Sequence, residues 1–160
     1  MRVYHGSIAT IEHPLADAGR DRLDFGKGFY ITDIQSQAET WAERMSRIKE
    51  MQGVVNIYEM EIEETKKNFS YKHFEHYDNE WLQFIVANRT GNPAVEKYDV
   101  IEGGVANDRV IDTVEAYIAN LMTLETALRE LSRHQPNNQL CICNQAVIDE
   151  YLKFVESYRI

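Results

Sequence analysis

Residues 1–7, MRVYHGS, begin apolar and end with an imidazole, a glycine and a hydroxyl. The run from Arg2 to Gly6 is typical of a short β-strand. Its last residues, His5, Gly6 and Ser7, bring together a hydrogen-bonding ring, a backbone that a ligand can approach closely and a hydroxyl group. This combination indicates a binding site at the end of the strand. A partly buried structural histidine ahead of a turn is the alternative interpretation.

Two later stretches can likewise be interpreted either as part of a binding site or as ordinary structural elements. Residues 24–33, DFGKGFYITD, set two glycines around a lysine and follow them with Phe29 and Tyr30, against which a flat ring can stack. The alternative is a tight turn into a strand with core aromatics. Residues 137–144, NNQLCICN, place polar amides at the head of an apolar strand, a pattern that ordinary turn chemistry also explains.

The hydrophobic pattern predicts an α+β fold in a single domain, residues 1–160. With 160 residues and 44% apolar side chains, the chain is long enough for one compact core. Strands are predicted at residues 2–6, 27–32, 53–62, 98–106, 139–143 and 153–160. Helices are predicted at residues 36–51, 79–89, 110–120, 124–133 and 145–152. The first helix carries five apolar residues at helical spacing: Ala38, Trp41, Ala42, Met45 and Ile48.

The charge of the chain argues against nucleic acid as its main partner. A net charge of -9 repels polyanions. Two small basic groups, Arg44 with Arg47 and Lys49, and Lys66 with Lys67, fit an ordinary solvated surface. The chain lacks an apolar run of membrane-helix length, and its N-terminus lacks the pattern of a secretion signal. We therefore expect a cytoplasmic protein with no membrane partner.

The two cysteines do not predict a disulfide framework or a metal site. Cys141 and Cys143 stand two apart in a predicted strand, where their side chains point the same way without the geometry of an ordinary disulfide. A zinc site needs more ligands than this pair supplies, and His134 is a poor candidate to complete it. No metal is expected.

Taken together, the three stretches resemble the ADP-ribosyltransferase superfamily, and the likeness covers most of the chain. That superfamily reads NAD with a histidine or arginine on its first strand, a tyrosine or serine on its second, and a glutamate or substitute at the head of a late strand. His5 in YHGS, Tyr30 in GKGFYIT and Gln139 in NNQLCIC are similar to these three positions. HGS followed by GKGFY is shared with the histidine-tyrosine branch, which includes the poly-ADP-ribose polymerases. The segments NIYEM, WLQFIVANR, YDVIEGGVAND and NNQ resemble a small bacterial family within the superfamily.

The resemblance implies a split two-sheet β core with peripheral helices and an NAD cleft between the sheets. His5 would bond the 2'-hydroxyl of the adenosine ribose, and Gly6 would offer backbone groups to the nicotinamide carboxamide. Ser7 would offer its hydroxyl to the nicotinamide ribose or carboxamide. Tyr30 would stack on the nicotinamide ring, and Gln139 would hold the 2'-hydroxyl of the nicotinamide ribose. His5, Tyr30 and Gln139 are thus the catalytic candidates, and NAD is the co-substrate.

Three further residues complete the predicted NAD site. Gly28 and Phe29 would stand beside the nicotinamide ring in the turn that leads to Tyr30. Arg20 would meet the pyrophosphate, because a guanidinium matches phosphate oxygens; a surface loop cation is the alternative. Asp108 and Glu102 are candidate helpers beside turn-like strand ends, with capping or surface charge as the alternative.

The third position departs from the polymer-forming relatives, which carry glutamate there. Gln139 accepts a hydrogen bond but carries no charge and cannot act as a general base, which argues against polymerisation. The resemblance therefore implies a glycosyltransferase-class enzyme, a mono-ADP-ribosyltransferase that releases nicotinamide and modifies a macromolecule, with protein favoured over nucleic acid. A bacterial toxin or defence effector is the natural context, with an antitoxin or inhibitor protein as a further partner. An NAD glycohydrolase and a non-catalytic NAD- or ADP-ribose-binding module remain the alternatives.

Overall fold

The structure, a computed structural model, describes residues 1–92 and 96–160, apart from the side chain of Asp108. This part of the chain forms seven strands and six helices, with one 3-10 turn at Ala16–Ala18. The strands are β1 (Arg2–Ser7), β2 (Phe29–Ile31), β3 (Val54–Met60), β4 (Tyr71–Phe74), β5 (Val100–Gly103), β6 (Gln139–Ile142) and β7 (Leu152–Arg159). The helices are α1 (Gln35–Lys49), α2 (Ile62–Asn68), α3 (Asn79–Thr90), α4 (Asp108–Ile118), α5 (Leu124–Leu131) and α6 (Gln145–Tyr151).

The strands form two sheets. One has three strands in the order β1-β3-β7, and the other has four in the order β2-β6-β5-β4. All neighbouring strands are antiparallel except β4 and β5, which are parallel. An isolated antiparallel bridge between Tyr4 and Thr32 joins the two sheets. Two sheets with six surrounding helices confirm the predicted α+β class.

The alternation of side chains along the strands divides the core into layers. One buried cluster joins both sheets and α6 through residues such as Val3, Phe29, Tyr58 and Leu140. A second cluster lies on the other face of the four-stranded sheet, where α3, α4 and α5 cover it. A third, smaller cluster packs α1 against the three-stranded sheet. Each sheet therefore has one face in the shared core and one face under helices.

Helix α1 approaches β1 closely because position 6 has no side chain. A Cβ atom on Gly6 would lie 2.2 Å from the Ala38 carbonyl oxygen and 2.8 Å from the Ala42 nitrogen. Ala38 and Ala42 are the buried residues of α1. Trp41 and Ile48, which share their helical spacing, are instead 43% and 61% exposed. Helix α1 therefore contacts β1 through its two alanines and not through its large apolar residues.

The predicted elements all occur, with shifted ends, and two elements were not predicted. Helix α2 begins at Ile62, inside the predicted strand 53–62, and β4 follows it. Both are short and carry little apolar signal, since Thr65 is the one buried residue of α2 and Phe74 that of β4. Their formation depends on tertiary contacts, because β4 pairs in parallel with β5.

The helices and the two cysteines bear on two of the predictions from the sequence. Within the described residues, no helix has the length and apolarity that crossing a membrane requires. Cys141 and Cys143 are free thiols with their sulfur atoms 3.6 Å apart. They point the same way, as predicted, without forming a disulfide bond.

Replacing Gly6 by alanine should destabilise the protein. The added methyl group meets backbone atoms of α1, which cannot rotate away, so the helix must shift outward. We expect a loss of about 1–3 kcal/mol in the free energy of unfolding, measured by urea denaturation, as for other overpacked sites.

The matched control is Ser7→Ala, which removes an oxygen at the neighbouring position without adding an atom. It should change the free energy of unfolding by less than about 0.5 kcal/mol. If Gly6→Ala were as stable as the parent protein, close packing of α1 would not be the reason for a glycine there.

Candidate functional site

The two sheets meet and then part along β1 and β2. The Tyr4 N–H donates to the Thr32 carbonyl over 2.7 Å, and the Thr32 N–H donates to the Tyr4 carbonyl over 3.0 Å. The bridge is isolated and is not followed by a ladder. Beyond it, continuation of the antiparallel register would set Gly6 opposite Tyr30. These two residues make no backbone hydrogen bonds with each other, and we call the unpaired stretch between β1 and β2 the opening.

The His5 side chain, and not a strand N–H group, donates to the Tyr30 carbonyl at this opening. Its Nδ1 lies 2.6 Å from the Tyr30 carbonyl oxygen. Because a carbonyl only accepts, Nδ1 carries the proton, and Nε2 of the neutral ring is left as an acceptor. The ring packs against Phe29 with centroids 4.5 Å apart. Burial lowers the pKa of His5, and the bond to Tyr30 only partly opposes that shift, so the ring is neutral at pH 7.

The backbone of Gly6 faces the same opening. In an extended strand, residues two apart direct their N–H and C=O groups to the same edge. Since Tyr4 directs both groups to Thr32, Gly6 directs both toward β2 and away from β3. Strand β1 is an edge strand of its sheet. One donor and one acceptor are thereby presented side by side next to the His5 ring.

Tyr30 is held from its hydroxyl end. That hydroxyl donates to the Gly26 carbonyl over 2.5 Å and accepts from the Phe25 N–H over 3.2 Å. Burial, with the neighbouring Cys141 thiol, raises the pKa of Tyr30 well above its usual range. The phenol therefore stays neutral, and both bonds fix the plane of its ring against the preceding turn.

The turn itself is anchored by a buried ion pair. Asp24 is 8% exposed, and its carboxylate lies 2.5 Å from an Arg89 guanidinium nitrogen and accepts the Ala106 N–H over 2.7 Å. The Asn88 amide donates to the Asp24 carbonyl over 3.1 Å. Helix α3 thus holds the turn in place although some 65 residues separate the partners. Nothing in the local sequence indicated this contact.

Gln139 lies on the same face of its sheet as Tyr30. Tyr30 is directly opposite Cys141, and Gln139 stands two residues before Cys141 on β6. Cross-strand partners share a face, as do residues two apart. Gln139 is half-buried, and its amide makes no hydrogen bond with the described residues. An unengaged amide is thus set on the face where the Tyr30 ring lies.

Asn138 fastens the head of β6, a role that the sequence did not reveal. Its carbonyl accepts from the Thr32 hydroxyl over 2.7 Å and from the Gln37 amide over 3.2 Å. Its own amide donates to Asp33 over 3.0 Å and to Glu102 over 3.2 Å. The position of Gln139 therefore depends on its neighbour. The doubled asparagine in NNQ was the one signal available for it.

The four remaining candidates have different surroundings. Phe29 is buried, and its ring packs between His5 and Tyr58. A Cβ on Gly28 would lie 2.4 Å from the Cys141 sulfur, so that glycine serves strand packing. The Ser7 hydroxyl is half-buried and has no partner among the described residues. Arg20 is exposed beside Gly19, which packs on the Gly28 carbonyl.

The candidate helpers do not join this group. Glu102 lies on the opposite face from Gln139, where it accepts from the Tyr71 hydroxyl over 2.5 Å and from Asn138. The side chain of Asp108 lies outside the described residues. In the part of the chain that the structure describes, no group of three or more His, Cys, Asp and Glu side chains is arranged to hold a metal ion.

Residues 1–154 match the model of a family described as "Protein of unknown function (DUF3990)". Since the match covers nearly the whole chain, the chain belongs to the DUF3990 family. No curated protein matches the chain, and no solved structure does.

Lowering the pH should destabilise the fold through His5. The unfolded chain takes up a proton near the ordinary pKa of 6.5, whereas the folded ring resists it. Stability should therefore be complete above pH 7 and fall as the pH drops toward 5. In His5→Asn, which keeps an amide donor but does not titrate, this decrease should be smaller by about 1 kcal/mol.

The measurement is urea unfolding of both proteins at pH 7, 6 and 5. His13→Asn, a substitution at an exposed histidine, is the matched control and should follow the parent protein. Equal decreases for His5→Asn and the parent protein would contradict burial of a neutral His5 ring.

Proposed function

We propose that the protein is a mono-ADP-ribosyltransferase that transfers ADP-ribose from NAD to a macromolecule and releases nicotinamide. The observation that carries the proposal is the opening between β1 and β2. There the Gly6 backbone, the His5 ring and the Tyr30 carbonyl come together. These are residues of the two motifs on which the resemblance to the ADP-ribosyltransferase superfamily depends.

The edge of β1 suits a primary carboxamide such as that of nicotinamide. A carboxamide offers one acceptor oxygen and two N–H donors in one plane. The N–H and C=O of Gly6 point to the same side and can satisfy both, as a strand partner would. The Nε2 acceptor of neutral His5 fits the hydroxyl of a ribose, because a hydroxyl donates one hydrogen bond.

Tyr30 and Gln139 suit the reacting end of NAD. A tyrosine ring held in a fixed plane offers a face for stacking on the nicotinamide ring. The Gln139 amide, on the same face of the neighbouring strand β6, can bond the 2'-hydroxyl of the adjoining ribose. Breaking the glycosidic bond expels neutral nicotinamide and leaves an oxocarbenium-like carbon. The chain's own groups therefore bind and orient the dinucleotide rather than attack it.

The neutral Gln139 favours single transfer over polymer formation. An amide accepts a hydrogen bond but cannot remove a proton from an acceptor hydroxyl. The same neutrality supports the second candidate, a module that binds NAD without cleaving it. Hydrolysis is the third, with water as acceptor.

Labelled NAD separates these functions. Purified protein is mixed with NAD labelled in the adenine part, with and without bacterial lysate, and portions are treated with protease or nuclease. We expect nicotinamide release and label on protease-sensitive material. Free ADP-ribose as the main product would instead identify a glycohydrolase. Binding without nicotinamide release would identify a binding module and overturn the proposed enzyme.

Gln139→Ala should lower turnover more than it weakens binding. An amide that acts at the moment of bond cleavage affects the rate, whereas NAD affinity rests on the whole cleft. We expect nicotinamide release to fall about tenfold or more, with a Kd for NAD changed less than about threefold, since one hydrogen bond contributes roughly 0.5–1.5 kcal/mol.

Gln139→Glu is the matched comparison, because it keeps the size of the side chain and adds a charge. A carboxylate beside the developing cation should maintain or raise nicotinamide release. Release at the parent rate by Gln139→Ala would remove Gln139 from the reaction and leave a cleft whose chemistry lies elsewhere.

A further inference from the structure

A groove with both polar and apolar lining residues runs past the head of β6 and is not part of the site described above. It consists of two adjoining cavities of about 480 Å³ and about 380 Å³, which share Tyr77, His134 and Gln135. Asn137 lines the second cavity. His5, Tyr30 and Gln139 line neither cavity, so the groove and the opening between β1 and β2 are separate features.

The groove lies on the same side of the four-stranded sheet as Gln139. Its apolar floor includes Tyr77 and Leu131, which belong to the cluster that covers the face of Tyr30 and Cys141. A Cβ on Gly104 would touch the Tyr77 ring, and Gly103, the residue before it, is directly opposite Gln139. Asn137, which lines the second cavity, is two residues before Gln139 in the chain. This part of the groove is therefore near the amide that we assign to the nicotinamide ribose.

His134 is the one residue with an ionisable base that lines both cavities. Its backbone N–H closes the last turn after α5 by donating to the Leu131 carbonyl over 3.1 Å. Its half-buried imidazole makes no hydrogen bond or ion pair with the described residues. Tyr77 also lines both cavities, but burial raises the pKa of its phenol to about 12, so it stays protonated at pH 7. The other ionisable side chains of the groove are His76 and Asp78 in the first cavity and Arg109 in the second.

We infer that the groove is the acceptor site of the proposed transferase and that His134 is its general base. The inference rests on the proposed function. An acceptor O–H, N–H or S–H group forms the new bond to the ribose C1' while the bond from C1' to the nicotinamide nitrogen breaks. Nicotinamide leaves with the bonding electrons, and the proton of the acceptor passes to the imidazole and then to solvent. His134 thus supplies the proton acceptor that Gln139 cannot be.

A polypeptide is the acceptor that fits this groove best. Its lining residues Asn79 and Gln135 carry amides, which match the donors and acceptors of a peptide backbone. Its floor is apolar, and Arg109 is the one permanently cationic side chain among its lining residues. A net charge of -9 disfavours a polyanion, so nucleic acid is the weaker fit.

The test compares two readouts, nicotinamide release without a macromolecular acceptor and transfer of labelled ADP-ribose to nuclease-treated lysate protein. In the first reaction, water forms the new bond to C1' as neutral nicotinamide leaves, and the proton of that water passes to bulk solvent. This hydrolysis therefore does not depend on a base in the groove. His134→Gln should therefore reduce transfer about 100-fold, the range of a lost general base, and leave release within about twofold. His134→Ala should behave alike, and His13→Ala, at an exposed histidine elsewhere, should match the parent protein.

A second variant tests the groove independently of the base. Ser132 is exposed in the wall of the first cavity, and Ser132→Trp should obstruct an acceptor chain while leaving nicotinamide release unchanged. Full transfer by this variant would overturn the groove as acceptor site. Full transfer by His134→Gln would overturn His134 as the base. So would a result in which His76→Ala loses transfer while the His134 variants keep it.

The remaining outcomes separate this inference from the proposed function. Parent protein that releases nicotinamide but labels no protein, or labels only nucleic acid, contradicts the polypeptide acceptor and leaves NAD cleavage standing. An equal loss of release and transfer in His134→Gln would place His134 in the cleavage step and overturn its role toward the acceptor. If the parent protein releases no nicotinamide, the proposed transferase and the acceptor groove are both overturned.

Discussion

Two backbone hydrogen bonds between Tyr4 and Thr32 are the constraint on which the rest of the structure depends. They join the edge of one sheet to the edge of the other, and no further ladder bonds follow. If the ladder continued, Gly6 and Tyr30 would satisfy each other and the two sheets would be one. The His5 side chain takes the Tyr30 carbonyl instead, and the Gly6 N–H and C=O are left facing β2 without a strand partner.

The elements around the opening serve to hold it in shape. Gly6 lets α1 lie against β1, and Gly28 lets β2 lie against β6. The Asp24–Arg89 ion pair binds the turn before β2 to α3. Such a buried pair is costly to break, because either partner alone would be left as an uncompensated charge. The motif suggests Gly6 and Gly28 as points of ligand approach. In the structure, the space that a side chain would occupy at each of them is filled by a neighbouring helix or strand.

The sequence predicted most of the helices and strands, but not the contacts that hold His5, Tyr30 and Gln139 in position. Periodicity revealed α1, α3 and the strand that carries His5, because each has a clear apolar repeat. It missed α2 and β4, whose single buried residues leave no repeat to detect. It also grouped Trp41 with Ala38 and Ala42 at one helical spacing, whereas only the two alanines are buried. The roles of Asn138 and Asp24 depend on partners distant along the chain, which a local pattern cannot indicate.

The neutrality of position 139 is consistent with its electrostatic surroundings. Its neighbour Asn138 already holds two carboxylates, those of Asp33 and Glu102, through one amide group. A glutamate at 139 would add a third negative charge at the head of the same strand, in a chain whose net charge is already -9. Like charges that share a partly buried site repel one another. A glutamine keeps a polar group in place without that repulsion, and under the proposed function it leaves proton removal to a group outside the opening.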